Sequence, residues 1–60
     1  MKIAILNYYA GSVEIIEDAP EMLYEEVEEW LDEHGYSLDC IDWMADVKSV
    51  EFYNAKDLEQ

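Results

Sequence analysis

The fold is decided by residues 19–35, which have the sequence APEMLYEEVEEWLDEHG. Pro20 suits the first turn of a helix, where a missing N–H costs nothing, and Asp18 stands just before it as the predicted N-cap. Gly35 follows at the position where a residue in left-handed conformation ends many helices. The stretch therefore predicts one long helix over about residues 20–34.

The two sides of this predicted helix differ in chemistry. At about 100° per residue, one sector of roughly 120° collects five apolar residues and a histidine: Leu23, Tyr24, Val27, Trp30, Leu31 and His34. The opposite side is acidic and is predicted to face water: Glu21, Glu25, Glu28, Glu29, Asp32 and Glu33. Like charges four residues apart cost a helix about 0.2–0.5 kcal/mol per pair. An acidic side of this kind is most often simply solvated, and the missing compensating lysines are a mild argument that it serves in binding.

The flanking segments predict a three-stranded sheet. Apolar and β-branched residues alternate or cluster at about residues 2–7, 12–17 and 47–53, and Gly11 marks a hairpin turn between the first two runs. Ser37 is a predicted N-cap for a short second helix over about residues 38–45, and residues 54–60 form a predicted frayed tail.

These elements predict a single α+β domain over residues 1–60 with the chain order ββααβ. The three strands form an antiparallel sheet in the order 2-1-3, and the long helix packs across one face of it. A single helix covers only one face, so some apolar residues of the sheet are expected to stay open. The candidates are some of Ala4, Leu6, Tyr8, Ile16 and Tyr53, or the residues that alternate with them if the helix covers the other face. We therefore expect a homodimer, formed through this face or by pairing of strand edges.

The composition limits the classes of partner. The chain has 16 Asp and Glu against 3 Lys and Arg, a formal charge of −13, and a hydrophobic content of 52%. Such a chain is too apolar for a disordered acidic tail, and its charge disfavours direct binding to nucleic acid or anionic membranes. No apolar run predicts a membrane span or a signal peptide, and the lone Cys40 suits a reducing compartment. We expect a complete cytoplasmic protein with a basic protein partner.

Residues capable of chemistry do not form a recognisable site in the sequence. His34 has no second histidine to share a metal, and Cys40 has no nearby cation to stabilise a thiolate. Asp39, Asp42 and Asp46 recur at helical spacing, but the glycine-centred calcium loop is missing. These patterns favour a helix-terminal histidine, a structural thiol and solvated acids. We expect no metal, no cofactor and no enzymatic activity.

Four aromatic residues with polar tips are candidate interface anchors, although in so small a domain they could equally fill the core. They are Tyr8, Tyr9, Trp43 and Tyr53. Together with the acidic side of the predicted helix, they make up the candidate interaction surface.

Two segments resemble a group of known sequences. The run Met1–Leu6 with Gly11–Ile16, and Gly35-Tyr36 leading to Ile41–Met44, are similar to short uncharacterised acidic proteins of gut anaerobic bacteria, some of them encoded near mobile elements. The resemblance covers most of the chain, and its motifs are structural. It implies no activity, cofactor or partner.

The favoured functional hypothesis is a non-enzymatic protein-interaction module that self-associates and presents an acidic surface to a basic protein. One alternative is an inhibitor whose rows of carboxylates mimic nucleic-acid phosphates and occupy a DNA-binding protein. Another is a small enzyme or metal-binding protein that uses His34 with neighbouring carboxylates.

Overall fold

The computed structural model describes residues 1–59 and contains a three-stranded antiparallel sheet in the order β2-β1-β3. The α+β class and this strand order confirm the prediction, whereas the chain order is ββαβα and not ββααβ. Its elements are β1 (Ile3–Asn7), β2 (Ser12–Ile16), α1 (Tyr24–Glu33), a 3₁₀ turn (Leu38–Cys40), β3 (Ile41–Ala45) and α2 (Ala55–Leu58).

Strands β1 and β2 form the predicted hairpin. Ile3 pairs with Ile16 and Asn7 with Ser12, and Gly11 has a φ of 67° in the connecting turn. The Asn7 side chain accepts the Ala10 N–H at 3.0 Å, which closes the turn from inside.

The third strand lies earlier in the chain than the predicted one. Residues 38–45 were expected to be helical, but only one 3₁₀ turn forms, and β3 then pairs with β1 from Ile41 opposite Asn7 to Ala45 opposite Ile3. The alternation of this segment, with Ile41 and Trp43 inward and Asp42 outward, satisfies a strand better than a helix. Because β2 and β3 occupy both edges of β1, residues 47–53 have no place beside it, and the strand predicted there is absent.

The main helix is shorter than predicted and begins at Tyr24, not near Pro20. Ala19 is buried and donates its N–H to the Met1 carbonyl at 3.1 Å, while its own carbonyl accepts from the Met1 ammonium. These bonds tie the segment after β2 to the N-terminus, and the residues that follow are not helical until Tyr24. Asp18 is therefore not the N-cap. That position belongs to Leu23, whose N–H donates to the Glu26 carboxylate at 2.8 Å.

The C-terminal end of α1 follows the sequence prediction. Gly35 has a φ of 93°, its N–H donates to the Asp32 carbonyl at 3.2 Å, and the Tyr36 N–H donates to the Leu31 carbonyl at 3.0 Å. This pair of bonds is the Schellman arrangement, which satisfies carbonyls that the helix leaves free.

The core lies between α1 and one face of the sheet. Ile3 and Ile5 from β1, Val27 and Leu31 from α1, and Ile41 from β3 are buried there. Trp30 is half-buried against this cluster, but Leu23, Tyr24 and His34 are exposed, so the apolar side of the helix is narrower than predicted.

Residues 48–59 are exposed. The four-residue helix α2 lies within residues 54–60, where a frayed tail was predicted. Gln60, the last residue of that predicted tail, lies outside the described residues. None of the helices within residues 1–59 is both long and apolar enough to cross a membrane.

Candidate interaction surfaces

The side of the sheet opposite α1 is an open apolar face. Because Ile3 and Ile5 point into the core, the alternate residues of the strands point the other way. This open face consists of Ala4, Leu6, Val13, Ile15 and Met44. Val13 is 67% exposed and Met44 57%, and even Leu6 on the central strand is 43% exposed. No element within residues 1–59 packs over it.

The structure agrees in part with the open residues named from the sequence. Ala4 and Leu6 lie on the open face and Tyr8 at its end, but Ile16 lies on the helix side, opposite Ile3. Tyr53 lies outside the sheet, because the strand predicted around it does not form.

One end of the open face is polar. The Tyr8 hydroxyl donates to the Asp42 carboxylate at 2.5 Å, and this hydrogen bond raises the pKa of Tyr8 above its ordinary value. Both side chains are exposed. The bond holds the Tyr8 ring beside the apolar residues of the open face and gives the Asp42 carboxylate a hydrogen-bond donor.

The acidic side of α1 faces away from the sheet. Its predicted carboxylates are all exposed, both on the helix and in the segment before it: Glu21, Glu25, Glu28, Glu29, Asp32 and Glu33. Glu21 lies 3.4 Å from the Met1 ammonium, and among residues 1–59 no lysine forms an ion pair with any of the six. The apolar and the acidic surfaces therefore lie on opposite sides of the molecule.

The four candidate aromatic anchors do not form one cluster. Trp43 lies on the helix side of β3, where its ring packs at a tilt of 39° against Tyr24 with centroids 4.8 Å apart. Tyr9 is 90% exposed in the hairpin turn, and Tyr53 lies in the C-terminal segment. Tyr8 borders the open face at one end, and Trp43 lines a depression beside Ala4, Leu6 and Met44. Tyr24, which sequence analysis assigned to the core, is the aromatic partner that it missed.

A hydrogen-bonded carboxylate on β2 was also missed from the sequence. Glu14 accepts bonds from the Ser12 hydroxyl at 2.7 Å, the Tyr36 hydroxyl at 2.8 Å and the Asn7 amide at 3.0 Å. These three donors lower the pKa of Glu14, and Ser12 has the largest effect. The bond between Tyr36 and Glu14 also raises the pKa of Tyr36. The cluster ties the hairpin to the segment that follows α1, so its role is structural.

The same local pattern recurs in the C-terminal segment. Ser49-Val50-Glu51 repeats Ser12-Val13-Glu14. The Ser49 hydroxyl donates to Glu51 at 2.8 Å and the Tyr53 hydroxyl donates to it at 2.6 Å, which together lower the pKa of Glu51. The repeat of three residues is the signal in the sequence that could have drawn attention to both sites.

The residues considered for catalysis or metal binding stay apart. The Nδ1 atom of exposed His34 lies 2.7 Å from the Trp30 carbonyl oxygen, and its ring stacks on Trp30 at 4.0 Å. Cys40 is half-buried and lines a shallow depression of about 400 Å³. Because β3 is a strand, Asp39, Asp42 and Asp46 do not share a helix face. Residues 1–59 contain no group of three side chains able to hold a metal ion.

Comparisons with protein-family models, curated proteins and solved structures find no match to this chain. Its function must therefore be inferred from the surfaces described above.

Proposed function

We propose that this protein is a non-enzymatic interaction module that self-associates through its open face and presents the acidic side of α1 to a basic protein partner. The observation that carries the proposal is the separation of the two surfaces. Apolar residues occupy one side of the sheet, and the carboxylates of the helix lie on the other side.

A second copy is the occupant that the charge distribution favours. Two sheets packed face to face lie about 10 Å apart. With each helix a further layer of about 8–10 Å outward, the two acidic surfaces are separated by on the order of 30 Å. That distance exceeds the Debye length of about 8 Å at physiological ionic strength. The carboxylates on the acidic side of α1 therefore oppose this arrangement weakly.

The area of the open face implies weak association. Three strands about 4.8 Å apart and five residues long cover about 240 Å² in projection. Two such faces bury on the order of 500 Å², which is less than the about 1,200 Å² typical of stable interfaces. We therefore expect a dimer that dissociates on dilution.

The outward helix would then serve the second partner. Its unpaired carboxylates form a surface that attracts a basic protein and repels nucleic acid. The proposal assigns the module to the cytoplasm, where a lone thiol such as Cys40 stays reduced.

Sedimentation equilibrium of the full chain, from about 10 μM to about 1 mM, tests the self-association. The expected result is a mass that rises from one chain to two. The double variant Val13→Thr/Met44→Gln should stay monomeric over this range, because it removes apolar surface from the open face alone. The control Leu23→Gln, which alters a residue that is 63% exposed before α1, should associate like the parent. A mass of one chain at every concentration would contradict the proposal.

Competition tests the acidic surface separately. Beads carrying the protein should retain a basic partner from a bacterial lysate at low salt, and duplex DNA should not displace it. Release by duplex DNA with a steep salt dependence would instead favour the nucleic-acid mimic.

A further inference from the structure

Residues 48–53, called the arm below, form an exposed extension that follows β3. Phe52 is 90% exposed, Tyr53 65% and Val50 43%, and within residues 1–59 the arm has no backbone hydrogen bond to the sheet. Its side-chain bonds, at Glu51 and at Lys48, are to residues of the arm itself or to the neighbouring Asp46. The arm therefore exposes two aromatic side chains and, among the described residues, has no backbone hydrogen bond that holds it to the sheet.

The sequence of the arm is that of a strand. Val50 and Phe52 alternate with Ser49 and Glu51. The tripeptide Ser49-Val50-Glu51 repeats the sequence at the start of β2. In β2 the valine lies on the open face and the glutamate on the helix side. A strand formed by the arm would present Val50 and Phe52 as a continuation of the open face.

The outer edge of β3 is a free strand edge. The bond from the Tyr8 N–H to the Cys40 carbonyl, at 2.9 Å, sets the alternation of hydrogen bonds between β1 and β3. The backbone groups of Ile41, Trp43 and Ala45 consequently point away from β1. Such an edge is a template for an added strand.

We propose that the arm of one copy adds to the β3 edge of a second copy as a fourth antiparallel strand. The register pairs all five residues of β3 with residues 49–53 of the arm. Ser49 then lies opposite Ala45, Glu51 opposite Trp43 and Tyr53 opposite Ile41. This inference rests on the proposed self-association and names a segment and an edge that take part in it. The added strand supplies backbone hydrogen bonds between the two copies, a contact that does not depend on the small area of the open face.

The position of Val47 favours a second copy over the arm's own chain. Val47 is buried, its N–H donates to the Lys2 carbonyl at 2.9 Å, and Asp46 before it has a φ of 57°. Folding back onto its own β3 in this register would leave residues 46–48 to make the turn. Three-residue hairpin loops place the left-handed residue last, whereas here the left-handed residue is Asp46, the first of the three.

Charge favours this register at the β3 edge over one matching register at the β2 edge. In the proposed register Lys48 lies opposite Asp46 of the second copy, and no acid faces an acid. On the β2 edge, the register that aligns Val50 with Ile15 would set Glu51 directly opposite Glu14. Like charges directly opposite one another destabilise a strand pair. The proposed register is also reciprocal, since the second arm makes the same pairs, and it can close as a two-fold dimer.

Two substitutions at Glu51 in the full chain test the inference. Glu51→Pro removes the N–H that would bond to Trp43, whereas Glu51→Thr keeps it, and both remove the same carboxylate. Sedimentation equilibrium should show association about tenfold weaker for Glu51→Pro than for Glu51→Thr. Because the arm has no backbone bond to the sheet, both variants should keep the parent far-ultraviolet circular dichroism spectrum.

The outcomes separate this inference from the proposed function. Equal association of the two Glu51 variants would overturn the arm exchange, whether or not the open-face variant Val13→Thr/Met44→Gln is weakened. Weakening by Glu51→Pro with normal association of the open-face variant would support the arm exchange and contradict packing through the open face. A parent chain that stays monomeric would overturn both.

Discussion

Replacing Leu31 with alanine should destabilise the fold more than any change on the exposed part of α1. Leu31 is fully buried among Ile3, Ile5 and Val27, between the helix and the sheet. A change from leucine to alanine at such a position costs about 2–5 kcal/mol. A 60-residue domain has only about 3–9 kcal/mol of stability in total. We therefore expect Leu31→Ala to remove a large share of the free energy of unfolding.

Urea unfolding followed by the fluorescence of Trp30 and Trp43 measures the effect. With a denaturant slope of about 1 kcal/mol/M, the midpoint should fall by about 2 M or more. The control Leu23→Ala changes a leucine that is 63% exposed and should shift the free energy by less than about 0.5 kcal/mol. Runs at two protein concentrations separate folding from association. A control that cost as much as Leu31→Ala would mean that α1 packs through another side, and the assignment of the open face would fail with it.

Three further predictions concern charge and backbone conformation. The pKa of Glu14 is lowered from its ordinary value of about 4.5, so the carboxylate stabilises the fold at pH values above 4.5, and this contribution is lost as the pH falls through the lowered pKa. The difference in unfolding free energy between the parent and Glu14→Gln should therefore shrink between neutral and strongly acidic pH, and a constant difference in urea titrations would contradict this. Gly35→Ala should lower the free energy of unfolding by about 1–2 kcal/mol, measured by thermal unfolding. The cost comes from the φ of 93° alone, because an added Cβ meets no atom within 4 Å. An unchanged Tm would argue against this conformation at the helix end. Raising NaCl from about 0.01 M to about 1 M shortens the Debye length from about 30 Å to about 3 Å and should raise Tm by screening repulsion among the carboxylates. A fall in Tm would contradict that account.

The sequence predicted those features that depend on local pattern and chain connectivity. The hairpin follows from two apolar runs around Gly11, and the helix end follows from Gly35. The 2-1-3 strand order follows from a central strand with apolar residues on both sides. Each of these signals lies within a few residues or in the alternation of one strand.

The errors arose where tertiary contacts outweighed local preference. Pro20 and Asp18 have the character of a helix start, but the two backbone bonds between Ala19 and Met1 hold that segment extended. Residues 47–53 have the composition of a strand, yet β1 has no free edge left for them. Periodicity within a segment cannot reveal which of two candidate strands takes the last place in a sheet.

The candidate surfaces were predicted unequally for the same reason. The acidic side of α1 is exposed, as the spacing of its residues indicated. Its exposure depends only on which side of the helix packs on the sheet, and not on specific contacts of each carboxylate. The aromatic residues did not converge, because their positions depend on strand register and on the turns between elements. The Glu14 cluster joins three separate segments, and only the repeated Ser-Val-Glu sequence gave a local sign of it.

Self-association through the open face is tested most directly by methyl NMR spectra of the full chain, diluted from about 1 mM to about 10 μM. The account predicts concentration-dependent shifts for the methyl groups of Leu6, Val13, Ile15 and Met44, with those of Val27 and Leu31 unchanged. Shifts absent throughout the dilution, or confined to residues of α1, would contradict it.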